Sequence, residues 1–189
     1  DPVSTTILFA QVTTDRQADT WGAALLMAQE QGVTIAGLVE DMARMYGKSQ
    51  EEAGLDVPVQ KDIWHIQRDG SQVLRDLERA AFRATRQVIK LEKQLLKQWD
   101  ETLFDERYVL AVAQEELCYD RHATFCQWLS HLVDALELVD WRSGEIRDRA
   151  INDWLLEETL SAMSEIDQPH VRKWVKTLRR HQSQLLTSL

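Results

Sequence analysis

The stretch from Ser71 to Trp99 constrains the fold most, because it contains no proline or glycine and its apolar residues recur at helical spacing. These residues are Val73, Leu77, Ala80, Ala81, Ala84, Val88, Leu91 and Leu95. Apolar side chains three or four positions apart line one face of an α-helix. The stretch is therefore predicted to form one long amphipathic helix.

Three further patterns of this kind follow along the chain. They cover Asp105 to Val139, Ser143 to Ser164 and Pro169 to Leu186. A proline near the start of the last pattern fits the first turn of a helix, where its missing N–H group has no helical partner to lose. Residues 71–189 are accordingly predicted to form an antiparallel helical bundle or an array of helical hairpins.

The first 70 residues have a different character, with short β-branched runs that are typical of strands. The runs are Ile7 to Thr13, Val33 to Val39 and Val57 to Ile63. Two helices are expected between them, the first capped by Asp19 and ended by Gly32, the second capped by Asp41. This β-α-β-α-β order predicts a partly parallel sheet. The expected fold class is α+β and mostly α, with a β/α segment at 1–70 and a helical domain at 71–189.

Composition and hydropathy exclude several classes of protein. The chain is 44% hydrophobic and 28% charged, which is typical of a globular protein. No run approaches the ~18–20 apolar residues that a membrane helix needs, so neither a membrane partner nor a location outside the cytoplasm is expected. Cys118 and Cys126 lie eight positions apart in a predicted helix, about 12 Å along its axis, which is too far for a disulfide.

Asp41 is the first candidate for chemistry, because it ends an apolar strand-like run. α/β folds usually place their sites at the carboxyl ends of strands. A carboxylate there can bind a divalent metal for phosphoryl transfer, and it can equally be a plain helix cap. Nearby, Asp62, His65, Arg68 and Asp69 surround Trp64 in the sequence, a pattern that also suits a helix start with an ion pair.

A stripe of seven cations follows on the first long helix, at steps of three or four residues. The stripe consists of Arg75, Arg79, Arg83, Arg86, Lys90, Lys93 and Lys97. Such a row can track a phosphate backbone or can be a solvated charged face. A second basic group lies near the C-terminus, at Arg172, Lys173, Lys176, Arg179, Arg180 and His181. The net charge of −9 argues against binding nucleic acid through the overall field, and leaves local patches open.

Three segments in this order resemble the middle of the catalytic domain of DDE-type, cut-and-paste transposases, which have a ribonuclease H-like fold. They are VTTDRQADTW, GLVEDMARMY and VQKDIWHIQRD, and the resemblance is to Mutator-like bacterial insertion-sequence enzymes in particular. The stretch from Asp15 to Trp21 matches one family motif, and Asp41 matches the second catalytic aspartate. Trp64 to Arg68 matches a strand with an aromatic-His-x-x-Arg signature. The predicted bundle then stands where the family has a helical insertion.

The resemblance implies a fragment of a DNA transposase-like protein. It implies that Asp41 binds Mg²⁺ or Mn²⁺, that His65 and Arg68 position a phosphate or brace the site, and that the cation stripe contacts DNA. The first catalytic aspartate would lie upstream of Ile7. Glu157, Glu158 and Glu165 are available as the catalytic glutamate, although none stands in a matching context, so the piece alone is expected to be inactive.

A function of another class is also open: a non-enzymatic helical module for protein interaction. The acidic balance and the single matched carboxylate favour it. An exposed apolar helix face would then mediate homo-oligomer formation. A metal-binding regulator is a third, weaker alternative.

Overall fold

The computed structural model describes residues 17–98 and 106–187. The chain divides into two compact units. The first comprises the described residues up to Asp62 together with the segment that begins at Ser183, and the second runs from Ile63 to Gln182. The predicted strand Ile7 to Thr13 and the matched residue Asp15 lie outside the described residues.

The first unit is built from α1 (Ala18–Glu30), β1 (Leu38–Glu40), α2 (Arg44–Glu52) and β2 (Val59–Lys61). The two strands are parallel, with Leu38 opposite Val59 and Glu40 opposite Lys61. β2 begins immediately after Pro58, which has no N–H group but accepts a hydrogen bond from Leu38 N at 3.0 Å. The predicted β-α-β crossover is therefore present, with strands shorter than the sequence runs suggest.

The ends of α1 agree only in part with the sequence patterns. Gly32 has φ +82°, and Val33 N donates to Ala28 O, so the helix ends in the predicted glycine motif. Val33 thereby folds back on the helix instead of starting a strand. The N-cap is Gln17, and Asp19 lies inside the first turn, so the predicted cap at Asp19 is wrong.

The second unit contains α3 (Ile63–Gln98), α4 (Glu106–Leu136), α5 (Arg149–Ser164) and α6 (Pro169–Arg180). Helices that follow each other in sequence pack together, and α6 also contacts α3. The largest fully buried apolar side chains of this unit are Phe125, Ile66, Leu132, Leu136, Leu156, Leu160, Met163, Leu178 and Val171. The predicted mainly helical second part is thus confirmed.

The helix α3 runs straight through Gly70, although the sequence pattern places its start at Ser71. A Cβ atom at Gly70 would come within 2.7 Å of Leu129 Cδ1 and 2.8 Å of Trp174 Cη2. The glycine therefore marks a close helix contact and not a helix boundary. Glycine costs a helix interior up to about 1 kcal/mol relative to alanine, and tight packing offsets that cost here.

A hairpin joins α4 to α5, where the sequence pattern predicts helix from Ser143. Val139 and Ile146 form an antiparallel bridge, and Gly144 at φ +73° makes the turn. α5 starts only after Asp148, whose Oδ1 accepts a hydrogen bond from Ala150 N at 2.7 Å. After α6 a short 3₁₀ helix covers Gln182–Gln184, where the pattern predicts a continuous helix to Leu186.

The C-terminal segment completes the first unit by returning to β2. Thr187 Oγ1 donates to Val59 O at 2.7 Å, and Gln60 Nε2 donates to Leu185 O at 2.6 Å. Leu185 and Leu186 are fully buried. None of the helices in the described part of the chain has the length and apolar character to cross a membrane.

Candidate metal and nucleic-acid sites

Asp41 and Asp62 leave the same edge of the β1–β2 pair. Glu40 is the register partner of Lys61, so the residue that follows each strand is an aspartate. Asp62 N donates to Glu40 O at 2.8 Å, which carries the pairing one residue beyond β2. Neighbouring strands lie about 4.8 Å apart, so the two half-buried aspartates emerge side by side at the carboxyl end of the sheet.

The Asp41 carboxylate is fixed by the turn from β1 to α2. Its Oδ1 atom accepts a hydrogen bond from Ala43 N at 2.7 Å. The N-cap of α2 is Ala43, and no side chain caps that helix, so the predicted helix cap at Asp41 is wrong. Asp41 instead makes a local turn in which a side-chain oxygen bonds the backbone two residues on. The backbone bond orients the carboxylate, which stays half-buried.

A buried ion pair between β1 and β2 was not predicted from the sequence. Lys61 Nζ lies 2.5 Å from Glu40 Oε1, and both side chains are more than nine-tenths buried. Gln50 Nε2 from α2 donates to Glu40 Oε2 at 2.9 Å. Lys61 Nζ also lies 3.5 Å from the carbonyl oxygen of Asp41. The Glu40–Lys61 pair, with Gln50, therefore holds β1, β2 and α2 together next to Asp41, the candidate metal ligand.

A sequence signal for this pair exists. Glu40 directly follows the predicted strand Val33 to Val39, Lys61 lies within the predicted strand Val57 to Ile63, and each is followed by an aspartate. Parallel pairing in that register brings opposite charges together. The segments Val39 to Asp41 and Gln60 to Asp62, aligned at their aspartates, therefore indicate the ion pair and identify Asp62 as the neighbour of Asp41.

Asp41 and Asp62 offer a partial ligand set for a hard divalent cation. Mg²⁺ prefers oxygen ligands, usually one or two carboxylates with several waters. Within residues 17–98 and 106–187, no group of three or more histidine, cysteine, aspartate or glutamate side chains is placed to hold a metal ion. The donor chemistry therefore fits Mg²⁺ or Mn²⁺, while a two-metal site needs carboxylates beyond this pair.

Trp64 to Arg68 lies in the first turns of α3, so the strand expected there is wrong. The Arg68 guanidinium lies over the Trp64 ring, 5.3 Å from its centroid, and Arg68 Nη2 donates to Asp69 Oδ1 at 3.0 Å. The His65 ring packs against the edge of Trp64 at 4.9 Å between centroids. His65 and Arg68 belong to the second unit and Asp41 to the first, and the phosphate role of His65 and Arg68 stays a prediction.

All seven cations of the predicted stripe are exposed on α3. Two near its start are bonded within the helix: Arg75 Nη2 donates to Gln72 Oε1 at 2.8 Å, and Arg79 Nη1 lies 3.3 Å from Asp76 Oδ1. Further along, a surface cavity of about 450 Å³ is lined by Arg86, Ile89, Lys90, Lys93, Gln94 and Lys97. The structure thus divides the stripe into a paired part and a part that lines an open cavity along one face of α3.

The second basic group is divided in the same way on α6. Arg172 pairs with Asp167 at 3.0 Å, and Arg179 pairs with Glu157 at 2.9 Å. The exposed residues Lys173, Lys176 and Arg180 have no ion pair among the described residues. This group is smaller than the α3 stripe, with six members against seven.

Glu157, one candidate for the catalytic glutamate, is engaged in a polar network on α5. It accepts hydrogen bonds from Gln182 Nε2 and Arg179 Nη1, both at 2.9 Å. The Gln182 amide and then the Arg179 guanidinium lower the pKa of Glu157 from its ordinary value. Glu158 and Glu165 are exposed on or beside the same helix. Each of the three lies in the second unit.

No family model, no curated protein and no solved structure matches this chain. A function can therefore be inferred only from two features of the chain itself. These are the aspartate pair at the sheet edge and the cation-lined cavity on α3.

Proposed function

We propose that this chain is part of a DDE-type DNA transposase with a ribonuclease H-like catalytic domain, which acts by metal-dependent phosphoryl transfer. The parallel β1–α2–β2 crossover carries the proposal, because Asp41 and Asp62 leave adjacent strands at one edge. A ribonuclease H-like site needs a carboxylate directly after a parallel strand, and the position of Asp41 directly after β1 is compatible with that requirement. The sequence resemblance around LVED supplies the family.

In this proposal Asp41 is the metal ligand and Asp62 is its neighbour at the sheet edge. A divalent cation bound there would activate water and stabilise the leaving oxygen of a phosphodiester. The Ala43 N–H bond holds Asp41 Oδ1 in a fixed direction. The Glu40–Lys61 pair behind it is overall neutral, so it fixes the strands without cancelling the negative charge of the two aspartates.

The chain alone is proposed to be inactive as a nuclease or transposase. Two carboxylates cannot hold two metal ions about 4 Å apart. The intact enzyme would supply the first aspartate on a strand upstream and a glutamate after the helical insertion. α3 to α6 would be that insertion.

The reading frame around this chain tests the proposal directly. The flanking genomic sequence should encode, in frame, an upstream strand that ends in aspartate and a downstream helix that carries glutamate. In the protein so extended, Asp41→Asn should abolish strand transfer on a DNA substrate, whereas Asp56→Asn, an exposed change in the same unit, should leave it intact. Unchanged strand transfer in Asp41→Asn would remove Asp41 from the mechanism.

A non-enzymatic interaction module is the second candidate, and one surface favours it. Around the α4–α5 hairpin, Trp141 is 74% exposed, Ile146 75% and Trp154 62%. A contiguous exposed apolar patch is typical of contact surfaces, and these three side chains would form one if they adjoin around the hairpin. Concentration-dependent dimerisation in sedimentation, lost in Trp141→Ser with Trp154→Ser and accompanied by no affinity for DNA, would favour this candidate over the transposase.

A further inference from the structure

The last five cations of the stripe differ from the first two in their hydrogen bonds and ion pairs. Arg75 and Arg79 each bond a side chain on their own helix. Five exposed cations beyond them have no ion pair among the described residues: Arg83, Arg86, Lys90, Lys93 and Lys97. The chain has 31 acidic and 22 basic side chains, so acidic partners are plentiful overall. Lys173, Lys176 and Arg180 on α6 share this lack of an ion pair among the described residues, but they are fewer than the five on α3.

Glu92 is the single acidic residue between Arg83 and Lys97, and it bonds a residue on another helix. Glu92 Oε1 accepts a hydrogen bond from Tyr108 on α4 at 3.0 Å. The cations are spaced at three or four residues, so they are neighbours on the helix surface and repel one another. The cations thus lie close together on one helix face, and the Glu92 carboxylate is bonded to Tyr108. Such a face is suited to binding an anionic ligand.

The shape of this surface fits an extended ligand. Arg86, Lys90, Lys93 and Lys97 line the same cavity of about 450 Å³, with Ile89 and Gln94 between them. From Arg86 to Lys97 the helix rises about 16 Å at ~1.5 Å per residue. Phosphates on one strand of duplex DNA advance about 3.4 Å per nucleotide along the axis, so the row spans about five of them. A single small anion would occupy only part of such a row.

We propose that this cavity, hereafter the α3 groove, binds the phosphate backbone of DNA without base specificity and without a metal ion. The choice of DNA as the polyanion rests on the proposed function, while the phosphate chemistry rests on the groove. Arg86, Lys90, Lys93 and Lys97 each contact a backbone phosphate. Arg75 and Arg79 contribute less, because their guanidinium groups are already bonded.

Fluorescence anisotropy with two duplexes of about 20 base pairs and unrelated sequence tests the groove. Four such contacts give a slope of log K against log salt near −3.6, so affinity should fall roughly a hundredfold between about 50 and 200 mM salt. The variant Arg86→Gln/Lys90→Gln/Lys93→Gln/Lys97→Gln should lose most of that slope and bind at least tenfold more weakly at low salt. Glutamine is nearly as good a helix former as lysine, and far-UV circular dichroism checks that the helix is kept.

A matched control removes four cations that are already bonded: Arg75→Gln/Arg79→Gln/Arg149→Gln/Arg172→Gln. Its net charge equals that of the groove variant, so it should keep the slope and most of the affinity. Equal weakening by both variants, or a tenfold preference for one duplex sequence, would overturn the proposal. So would the absence of binding at about 50 mM salt.

A single-stranded oligonucleotide and removal of divalent metal with EDTA separate this proposal from the proposed function. Single strands should bind through the same groove with a slope about a fifth smaller, because their counterion density is lower. EDTA should leave the binding of both forms unchanged, since the groove uses no metal. Groove binding without strand transfer in the extended enzyme would reject the transposase and keep the groove, and the reverse result would reject the groove alone.

Discussion

Glu40 and Lys61 face each other in register across the parallel strands β1 and β2, and their buried charges meet 2.5 Å apart. The contact is supported by Gln50 Nε2, which donates to the second carboxylate oxygen of Glu40 at 2.9 Å. Each of the two residues is followed directly by an aspartate. The ion pair therefore sets the register that places Asp41 beside Asp62.

Removing one partner of this pair should destabilise the first unit strongly. Lys61→Met leaves the Glu40 carboxylate buried without its countercharge, a change that typically costs about 3–5 kcal/mol. The double variant Glu40→Gln/Lys61→Met removes both charges and keeps an acceptor for Gln50. It should be about 2 kcal/mol more stable than Lys61→Met alone, measured by urea denaturation.

The control for this pair is an exposed ion pair in the same unit. Lys48→Met breaks the contact with Glu52, whose exposure predicts a change of less than about 1 kcal/mol. Equal losses in Lys48→Met and Lys61→Met would contradict the account of β1 and β2.

Gly70 is predicted to tolerate no side chain. Gly70→Ala places a methyl group within 2.7 Å of Leu129 Cδ1 and against the Trp174 ring, and overpacking of this kind costs about 1–3 kcal/mol. Gly47 is the matched control, because it also lies inside a helix and a Cβ there meets nothing within 4 Å. Gly47→Ala should stabilise the protein by about 0.5–1 kcal/mol. Thermal unfolding that ranks the two variants in the opposite order would show that Gly70 does not lie at a close contact.

The polar network at Glu157 should make the second unit sensitive to acid. The Gln182 and Arg179 hydrogen bonds lower the pKa of Glu157 in the folded state below its unfolded value. The unfolded chain therefore binds the proton more readily, and the contribution of Glu157 to stability is present above the unfolded pKa, about 4.3. It is lost as the pH falls through the lowered folded pKa.

A comparison of wild type with Glu157→Gln tests this dependence. The melting temperature of wild type should exceed that of the variant near pH 6, and the difference should shrink as the pH falls below about 4. Glu158→Gln, an exposed change next to it, is the control for the loss of one negative charge on α5. A difference that is constant between these pH values would contradict the assigned hydrogen bonds.

Most of the helices could be predicted from apolar periodicity, because each buries one continuous stripe against its neighbours. The pattern Pro169 to Leu186 fails after Arg180 for a physical reason. Leu185 and Leu186 are buried in the first unit and not on a helix face of the second. Apolar periodicity indicates that a residue is suited to a core, but it does not indicate in which of the two units the residue is buried.

Local sequence signals predicted wrong helix boundaries where tertiary contacts determine the structure. Gly70 reads as a break, yet its missing side chain is what lets α3 approach Leu129 and Trp174. Asp41 reads as a helix cap, yet α2 begins later and the carboxylate bonds Ala43 N before the helix. The neighbour of Asp41 depends on strand register, and in strands as short as β1 and β2 the apolar pattern specifies register weakly, so the charge pair Glu40 and Lys61 is the clearest signal of it.

Selective line broadening by Mn²⁺ in the NMR spectrum of this chain tests the central claim most directly. Substoichiometric Mn²⁺ should broaden the amide signals of Asp41 and Asp62 before those of other acidic residues, and Asp41→Asn should abolish this effect while Asp56→Asn preserves it. Broadening that is spread evenly over the acidic surface, or that persists in Asp41→Asn, would contradict the assignment of Asp41 as the metal ligand.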